Sequence, residues 1–294
     1  MIALSTRHLR GDPTDPSRAL APLAARGFRE IVLGLADLRA DGRAATGAER
    51  LPGFGVVAVS AGESVPGLGI LVDREAAGLA SRDESVRAAA VTAIRMRAAA
   101  ARAARAPVVV TRMGSVALPS LVFEREARAR RSASEAAAFR ADARAAAAAA
   151  LEPACRSLHE ICRSEPDVVF AVESPAFGHE LGSPDDFDRL FRDVKARNIA
   201  AWFSCGTSFL LHAAGLGPEP AAVLEPLAPR LAGVFLSDED GERDGLVPGR
   251  GRVDFKLVSF FLSRGVRRVI DLAPGASIPD FAEAAEFLAA KGIS

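Results

Sequence analysis

The chain has 294 residues, 49% of them hydrophobic and 25% charged, the ordinary balance of a globular protein with a sizeable core. Lysine plus arginine and aspartate plus glutamate balance at 37 each, which removes the global field that nucleic-acid or anionic-membrane binding would use. The three cysteines, Cys155, Cys162 and Cys205, have no CxxC spacing and describe neither a disulfide framework nor a structural zinc site. No secretory pattern follows Met1, and the longest apolar run, Ala145 to Leu151, is far short of the roughly 20 residues of a bilayer span. A cytoplasmic protein is expected, with no nucleic-acid or membrane partner.

Along the chain, short apolar runs alternate with segments of helical spacing. The strand Ile2–Ser5 precedes the helix Pro16–Arg26, which stops at Gly27. The strand Glu30–Leu33 leads into a less regular helical stretch, Leu35 to Arg50, and then the strand Gly55–Ser60. The helix Asp83–Ala104 and the strand Val108–Thr111 follow. The charged stretch Glu124–Ser134 reads as an exposed turn or helix start, its arginines Arg125, Arg128, Arg130 and Arg131 interleaved with Ala and Glu as on a solvated helix face. The helix Ala133–Arg163 is expected to kink or split at Pro153, whose ring and missing N–H oppose a continuous helix.

The carboxy-terminal half continues with the strand Asp167–Val172, the helix Pro184–Ala196 and the strand Ala200–Ser204. The helix Pro218–Leu227, the strand Gly233–Ser237, the helix Asp254–Ser263, the strand Arg268–Leu272 and the helix Pro279–Lys291 complete the series. Ser183-Pro184-Asp185-Asp186 orders a cap, a first-turn Pro and acidic residues, whereas Ile278-Pro279-Asp280 lacks a clear cap. Phe260 and Phe261 are assigned to the core.

Eight strands alternating with helices imply a parallel sheet, and eight is the number that closes a (β/α)8 TIM barrel, which typically takes roughly 250 residues. The fold expected is therefore α/β, one TIM barrel over residues 1–294. A doubly wound open sheet is the competing architecture, but Ser5 to Arg10 stands where its G-x-G-x-x-G fingerprint would be, and no Walker A pattern occurs.

In such a barrel the chemistry gathers at the loops after the strands. The candidates are Arg7 and His8 after strand one, Glu63 after strand three and Arg112 after strand four. Glu173 and His179 follow strand five, and Cys205, Ser208 and His212 follow strand six. Asp238, Glu239, Asp240 and Arg243 follow strand seven, and Asp271 ends strand eight. Glu173 and Asp271 stand out because each closes an apolar strand, where an unpaired carboxylate is costly. Gly114-Ser115 and Gly206-Thr207-Ser208 offer amides and hydroxyls to a substrate phosphate.

Phe170-Ala-Val-Glu173-Ser-Pro175 with Gly182-Ser183-Pro184 resembles the "aiEn.p…gs" element of the xylose-isomerase-like barrels. That group holds sugar isomerases and epimerases, inosose dehydratases and the endonuclease IV type of apurinic endonuclease. Trp202 to Ser208 is similar to its "lclDtgH", Val234 to Asp238 to "vHlkD", Val247 to Phe255 to "pGeG.vdf", and Val269-Ile270-Asp271 to "viE". The resemblance implies one divalent metal held by Glu, Asp, His and Glu from strands five to eight. Carried over, Glu173 is retained, Cys205 replaces the Asp, Phe235 the His and Asp271 the last Glu, with Ser208 where a second His is frequent. Phe235 supplies no ligand atom, so no Mn, Mg or Zn cofactor is expected.

What remains is the carboxylate pair Glu173 and Asp271, the expected catalytic residues. In the resembling enzymes such a pair moves a proton on and off a carbon beside a carbonyl. Arg7, Arg112 or Arg243 would offset the developing oxyanion. His8, Arg112, His179, Cys205, Asp238 and Arg243 are the expected substrate-binding residues, around a small sugar-like, keto or polyol compound. Alternatively Glu173 pairs with one of these arginines structurally, and the barrel binds a small molecule or partner protein without catalysis. A DNA-repair endonuclease is disfavoured by four histidines in all and by neutral charge.

Overall fold

A computed structural model describes residues 2–6, 16–34, 55–60, 63–64, 71–72, 78–116, 126 and 128–294. The barrel strands are β1 Ile2–Ser5, β2 Glu30–Leu33, β3 Gly55–Ser60, β4 Val108–Thr111, β5 Val169–Glu173, β6 Ile199–Ser204, β7 Leu231–Leu236 and β8 Arg267–Ile270. All pair in parallel with their sequence neighbours, and β1 closes on β8, giving a closed eight-stranded barrel. Glu63–Ser64 and Leu71–Val72 form a separate two-stranded antiparallel ribbon.

The described helices are α1 Pro16–Ala25, α2 Glu84–Ala103, α3 Ala133–Ser164, α4 Pro184–Asp193, α5 Cys205–Ala213, α6 Pro220–Leu227, α7 Phe255–Phe261 and α8 Ile278–Ala290. Their starts follow local chemistry. The Asp83 carboxylate accepts from the amides of Ser85 and Val86, and Ser183 and Asp186 exchange bonds in a capping box. At α8 the missing cap is found one residue earlier than expected, where Asp280 accepts from the Ser277 amide at 2.7 Å. None of the described helices is long and apolar enough to cross a membrane.

Three expectations are corrected. First, α3 is not split at Pro153 but continues through it, with Ala150, Leu151, Pro153, Ala154 and Leu158 buried. Second, the stretch after β6 is helical: α5 begins immediately at Cys205. Third, Phe260 is 84% exposed rather than in the core, while Phe261 packs edge-to-face against it. The Leu35–Arg50 stretch lies outside the described residues.

The barrel interior is a packed layer, not a pore. Ala3, Val32, Ala58, Val108, Val110, Ala171, Trp202, Phe235 and Val269 form one buried cluster, distinct from the larger shell between strands and helices. Trp202 and Phe235 fill most of it, with ring centroids 5.0 Å apart. Gly233 makes the space: a Cβ there would collide with the Trp202 ring at Cζ3. The register shift between Ala201 and Trp202 in the β6–β7 pairing occurs at the same place.

Candidate functional site

Strand side chains alternate, so the residue two positions beyond each interior side chain faces the mouth of the barrel. From Val110, Ala171, Trp202, Phe235 and Val269 this rule leads to Arg112, Glu173, Ser204, Ser237 and Asp271. An apolar floor thus carries a polar layer at the C-terminal ends of β4 to β8.

Arg112 and Glu173 meet in that layer, at 5% and 2% exposure. Arg112 Nε lies 3.3 Å from Glu173 Oε2, and the Ser204 hydroxyl donates to Glu173 Oε1 at 2.5 Å. Arg112 Nη1 donates to Glu180 Oε2 at 2.9 Å and to the Ser174 carbonyl at 3.0 Å. One guanidinium therefore serves two buried carboxylates from β5 and the loop after it. In a dry site such a pair is held firmly only with its hydrogen bonds complete. Ser174 continues the network, accepting from the Ser204 amide at 2.9 Å and meeting Ser208 Oγ at 3.1 Å.

His179 is tied into a second group. Its Nδ1 is 2.9 Å from Glu126 Oε2, while Glu126 Oε1 accepts from Arg130 Nη2 at 3.0 Å and from the Gly178 amide at 3.2 Å. Glu126 is 2% exposed and Ala129 is buried, so the described part of Glu124–Ser134 is solvated on one side only, with Arg128 and Arg131 exposed as expected. A cavity of about 810 Å³ opens beside these groups, between α3 and the loop after β5, and Ser174, Glu180 and Ser208 reach it.

The loop after β7 is built around Asp238. Its Oδ1 accepts from the amides of Glu239 and Val253, and its Oδ2 from those of Gly249 and Gly251, at 2.8–3.0 Å. Oδ2 thus holds the Pro248–Gly251 turn, and Oδ1 ties Glu239 to Val253 on either side of it. Gly251 allows the approach, since a Cβ there would collide with Asp238 Oδ1. Arg243 turns outward, its side chain 69% exposed and paired with Asp240 at 3.3 Å.

The same loop carries a residue that reading by polarity did not single out. Asp244 is 8% exposed, and its Oδ2 accepts from Thr207 Oγ1 at 2.5 Å. Its Oδ1 is buried without a hydrogen-bond partner among the described residues. Burial, reinforced by the charge of Asp271 and opposed by the Thr207 bond and by Arg130, pushes its carboxyl up to about 6.

Cys205 belongs to the packing and not to the mouth. It is fully buried in the shell between strands and helices, and burial pushes its thiol well above the ordinary range. The mouth-facing residue of β6 is Ser204, one position earlier. His212 is exposed in the last turn of α5, and Asp271 is half-buried at the end of β8. Arg7 and His8 lie outside the described residues, as does the Glu63 side chain. The hydroxyls of Thr207 and Ser208 already meet Asp244 and Ser174.

The described residues do not fit the divalent metal that the resemblance implies. Glu173 faces a guanidinium and a hydroxyl, Phe235 packs at a tilt against Trp202, and Cys205 is a buried thiol. Among the described residues no group of three His, Cys, Asp or Glu is arranged to hold an ion.

No protein-family model and no curated protein matches the sequence. Solved structures match it over nearly its whole length at low identity. A D-tagatose 3-epimerase-like protein is 17% identical with a TM-score of 0.67, over 99% of this chain and 96% of that one. A D-psicose 3-epimerase solved in the presence of D-fructose is 13% identical with a TM-score of 0.64, over 98% and 96%. A 3-keto-D-glucoside 4-epimerase from E. coli is 10% identical with a TM-score of 0.63, over 98% of both chains. The chain shares the TIM-barrel fold of these sugar epimerases.

Proposed function

We propose that this barrel acts on a small sugar-like keto or polyol compound as an isomerase or epimerase, through Glu173 and Asp271 and without the metal of the resembling enzymes. The observation that carries the reading is the buried guanidinium of Arg112 against Glu173, in the layer that also leads to Asp271. One carboxylate takes the proton from the carbon beside the carbonyl. The C–H electron pair becomes the C=C bond of an enediolate, and the carbonyl oxygen takes up the negative charge. A proton returned to carbon completes the exchange, so no oxidant or reductant is consumed. Arg112 supplies a fixed positive charge in place of an ion, and a preorganised charge needs no reorientation as the enediolate forms.

A second reading, binding without turnover, draws support from the same contacts, because both Glu173 oxygens already have partners from this chain. The two separate in one experiment. Protein freed of metal with a chelator is incubated in D2O with D-fructose, D-tagatose or D-psicose, and deuterium at the carbon beside the carbonyl is read by NMR. The expected result is exchange in the wild type that is lost in Glu173→Gln and in Asp271→Asn. Exchange surviving both substitutions, or arising only when Mn²⁺ is restored, refutes the carboxylate mechanism. Ketose binding with no exchange selects the second reading.

A further inference from the structure

We propose that the cavity between α3 and the loop after β5 is a binding site for a primary amine carried on an apolar body, its ammonium group held by Glu180. The inference goes beyond the proposed isomerase or epimerase activity and does not rest on it, since neither Glu173 nor Asp271 lines this cavity.

The volume of about 810 Å³ is that of a small-molecule pocket, and the walls are mostly apolar. Leu151, Leu211 and Val223 are its buried lining, while Ala141 and Ala148 of α3 are exposed at its outer wall. The rim charges, Arg140 and Arg144 against Asp185 and Asp186, balance in sign. Arg144 and Asp185 lie 3.9 Å apart and are solvated, so they impose little field on the interior. Against the apolar lining stand the carboxylate of Glu180 and the hydroxyls of Ser174 and Ser208.

Glu180 is used on one side only. Its side chain is 5% exposed, and Oε2 accepts from Arg112 Nη1 at 2.9 Å, from the Ala176 amide at 2.6 Å and from the Phe177 amide at 3.4 Å. Among the described residues Oε1 accepts from none, on a side chain that lines the cavity. A carboxylate oxygen only accepts, so its complement in a ligand is a donor. The charge count selects an ammonium over a hydroxyl. The Arg112 guanidinium lies 3.3 Å from Glu173 and 2.9 Å from Glu180, so among the described residues one cation is shared by two buried carboxylates. A bound ammonium supplies the second cation, and a hydrogen bond between charged groups is stronger than one from a neutral donor. Arg112 Nη1 also donates to the Ser174 carbonyl, which keeps Ser174 beside Glu180. The Ser174 and Ser208 hydroxyl oxygens, 3.1 Å apart, offer lone pairs to the remaining N–H groups.

The test titrates the full chain with naphthylmethylamine and with its neutral analogue naphthylmethanol, by calorimetry and by amide NMR. The amine is expected to bind about tenfold or more tightly than the alcohol, as a hydrogen bond to a charged group warrants, and to shift the amide signals of Ser174, Glu180 and Ser208. Glu180→Gln keeps an acceptor for Arg112 and is expected to abolish the preference for the amine. Ala141→Trp, at the exposed wall where a larger side chain does not disturb the core, is expected to block both probes. An amine that binds no more tightly than the alcohol, or a preference that survives Glu180→Gln, overturns the role of Glu180. Absence of amine binding, or binding unchanged in Ala141→Trp with shifts elsewhere in the barrel, overturns the cavity as the site. If Glu180→Gln fails to fold, the comparison of amine with alcohol in the wild type and the Ala141→Trp arm decide the matter.

Discussion

Replacing Asp244 by Asn tests the burial of that carboxyl without reference to any substrate. The carboxyl is pushed from its ordinary 3.8 to about 6 in the folded protein. Between these values the folded chain holds a proton that the unfolded chain has released. The folded-state pKa is the raised one, so the associated stability is fully present below pH 3.8 and is lost as pH climbs through 6. The rise is worth about 3 kcal/mol at about 1.4 kcal/mol per pKa unit. Asn reproduces the neutral acid at every pH. Asp244→Asn is therefore expected to be more stable than the wild type by about 3 kcal/mol at pH 8 and by under about 1 kcal/mol at pH 4. For a chain of this length, 3 kcal/mol corresponds to roughly 6 °C in melting temperature. Equilibrium urea unfolding of both proteins at the two pH values measures the difference, and other titrating groups cancel in the comparison. A variant no more stable than the wild type at pH 8, or a difference that does not change with pH, refutes the assignment of a buried, raised carboxyl at this position.

Arg112→Met leaves Glu173 and Glu180 buried without their cation and is expected to cost about 3–5 kcal/mol in urea unfolding, with part recovered by adding Glu173→Gln. Full stability in the single variant would show that the guanidinium does not neutralise the pair. Gly233→Ala drives a methyl against Trp202 and is expected to cost more than about 3 kcal/mol and to change the near-ultraviolet circular dichroism of Trp202, the one tryptophan. Trp202→Leu in the same background should restore part of the loss. Asp238→Ala removes the acceptor of four backbone amides, and hydrogen exchange at Glu239, Gly249, Gly251 and Val253 is expected to quicken together. Acceleration at only one of the four would argue against a common latch.

The barrel was legible in the sequence because buried parallel strands have little compositional freedom. Runs such as Val108–Thr111 must be apolar on both faces, and glycines or prolines must bracket them. Alternation then makes the strand ends legible, and Arg112, Glu173 and Asp271 follow from it. The rest depended on tertiary contacts. α5 was hidden because Cys205-Gly206-Thr207-Ser208 has poor helix formers and Ser204 makes no side-chain cap bond, its hydroxyl being used on Glu173. That also displaced attention by one residue, from Ser204 to Cys205. Glu126 looked like one more charge in an arginine-rich stretch, and its burial is visible only once His179 and Gly178 are seen around it. Asp238 and Asp244 share a polar loop, and composition does not reveal that one carboxylate is saturated by amides while the other has a bare oxygen.

The apolar plug and the charged layer above it have to be understood together. Trp202 and Phe235 fill the barrel below the site, so the groups at the strand ends rest on an apolar floor. In such surroundings each charge interacts more strongly with its neighbours than it would in water, and each unmet polar atom costs more. Arg112 with Glu173 and Glu180 is one resolution of that constraint, in which a cation is built into the protein. Asp244 is another, a buried carboxyl held by Thr207 and pushed up to about 6 by its burial. A phenyl ring in strand seven removes a ligand atom and also dries the space beneath the site. Phe235 thus belongs to the same apolar floor that keeps the charges above it away from water.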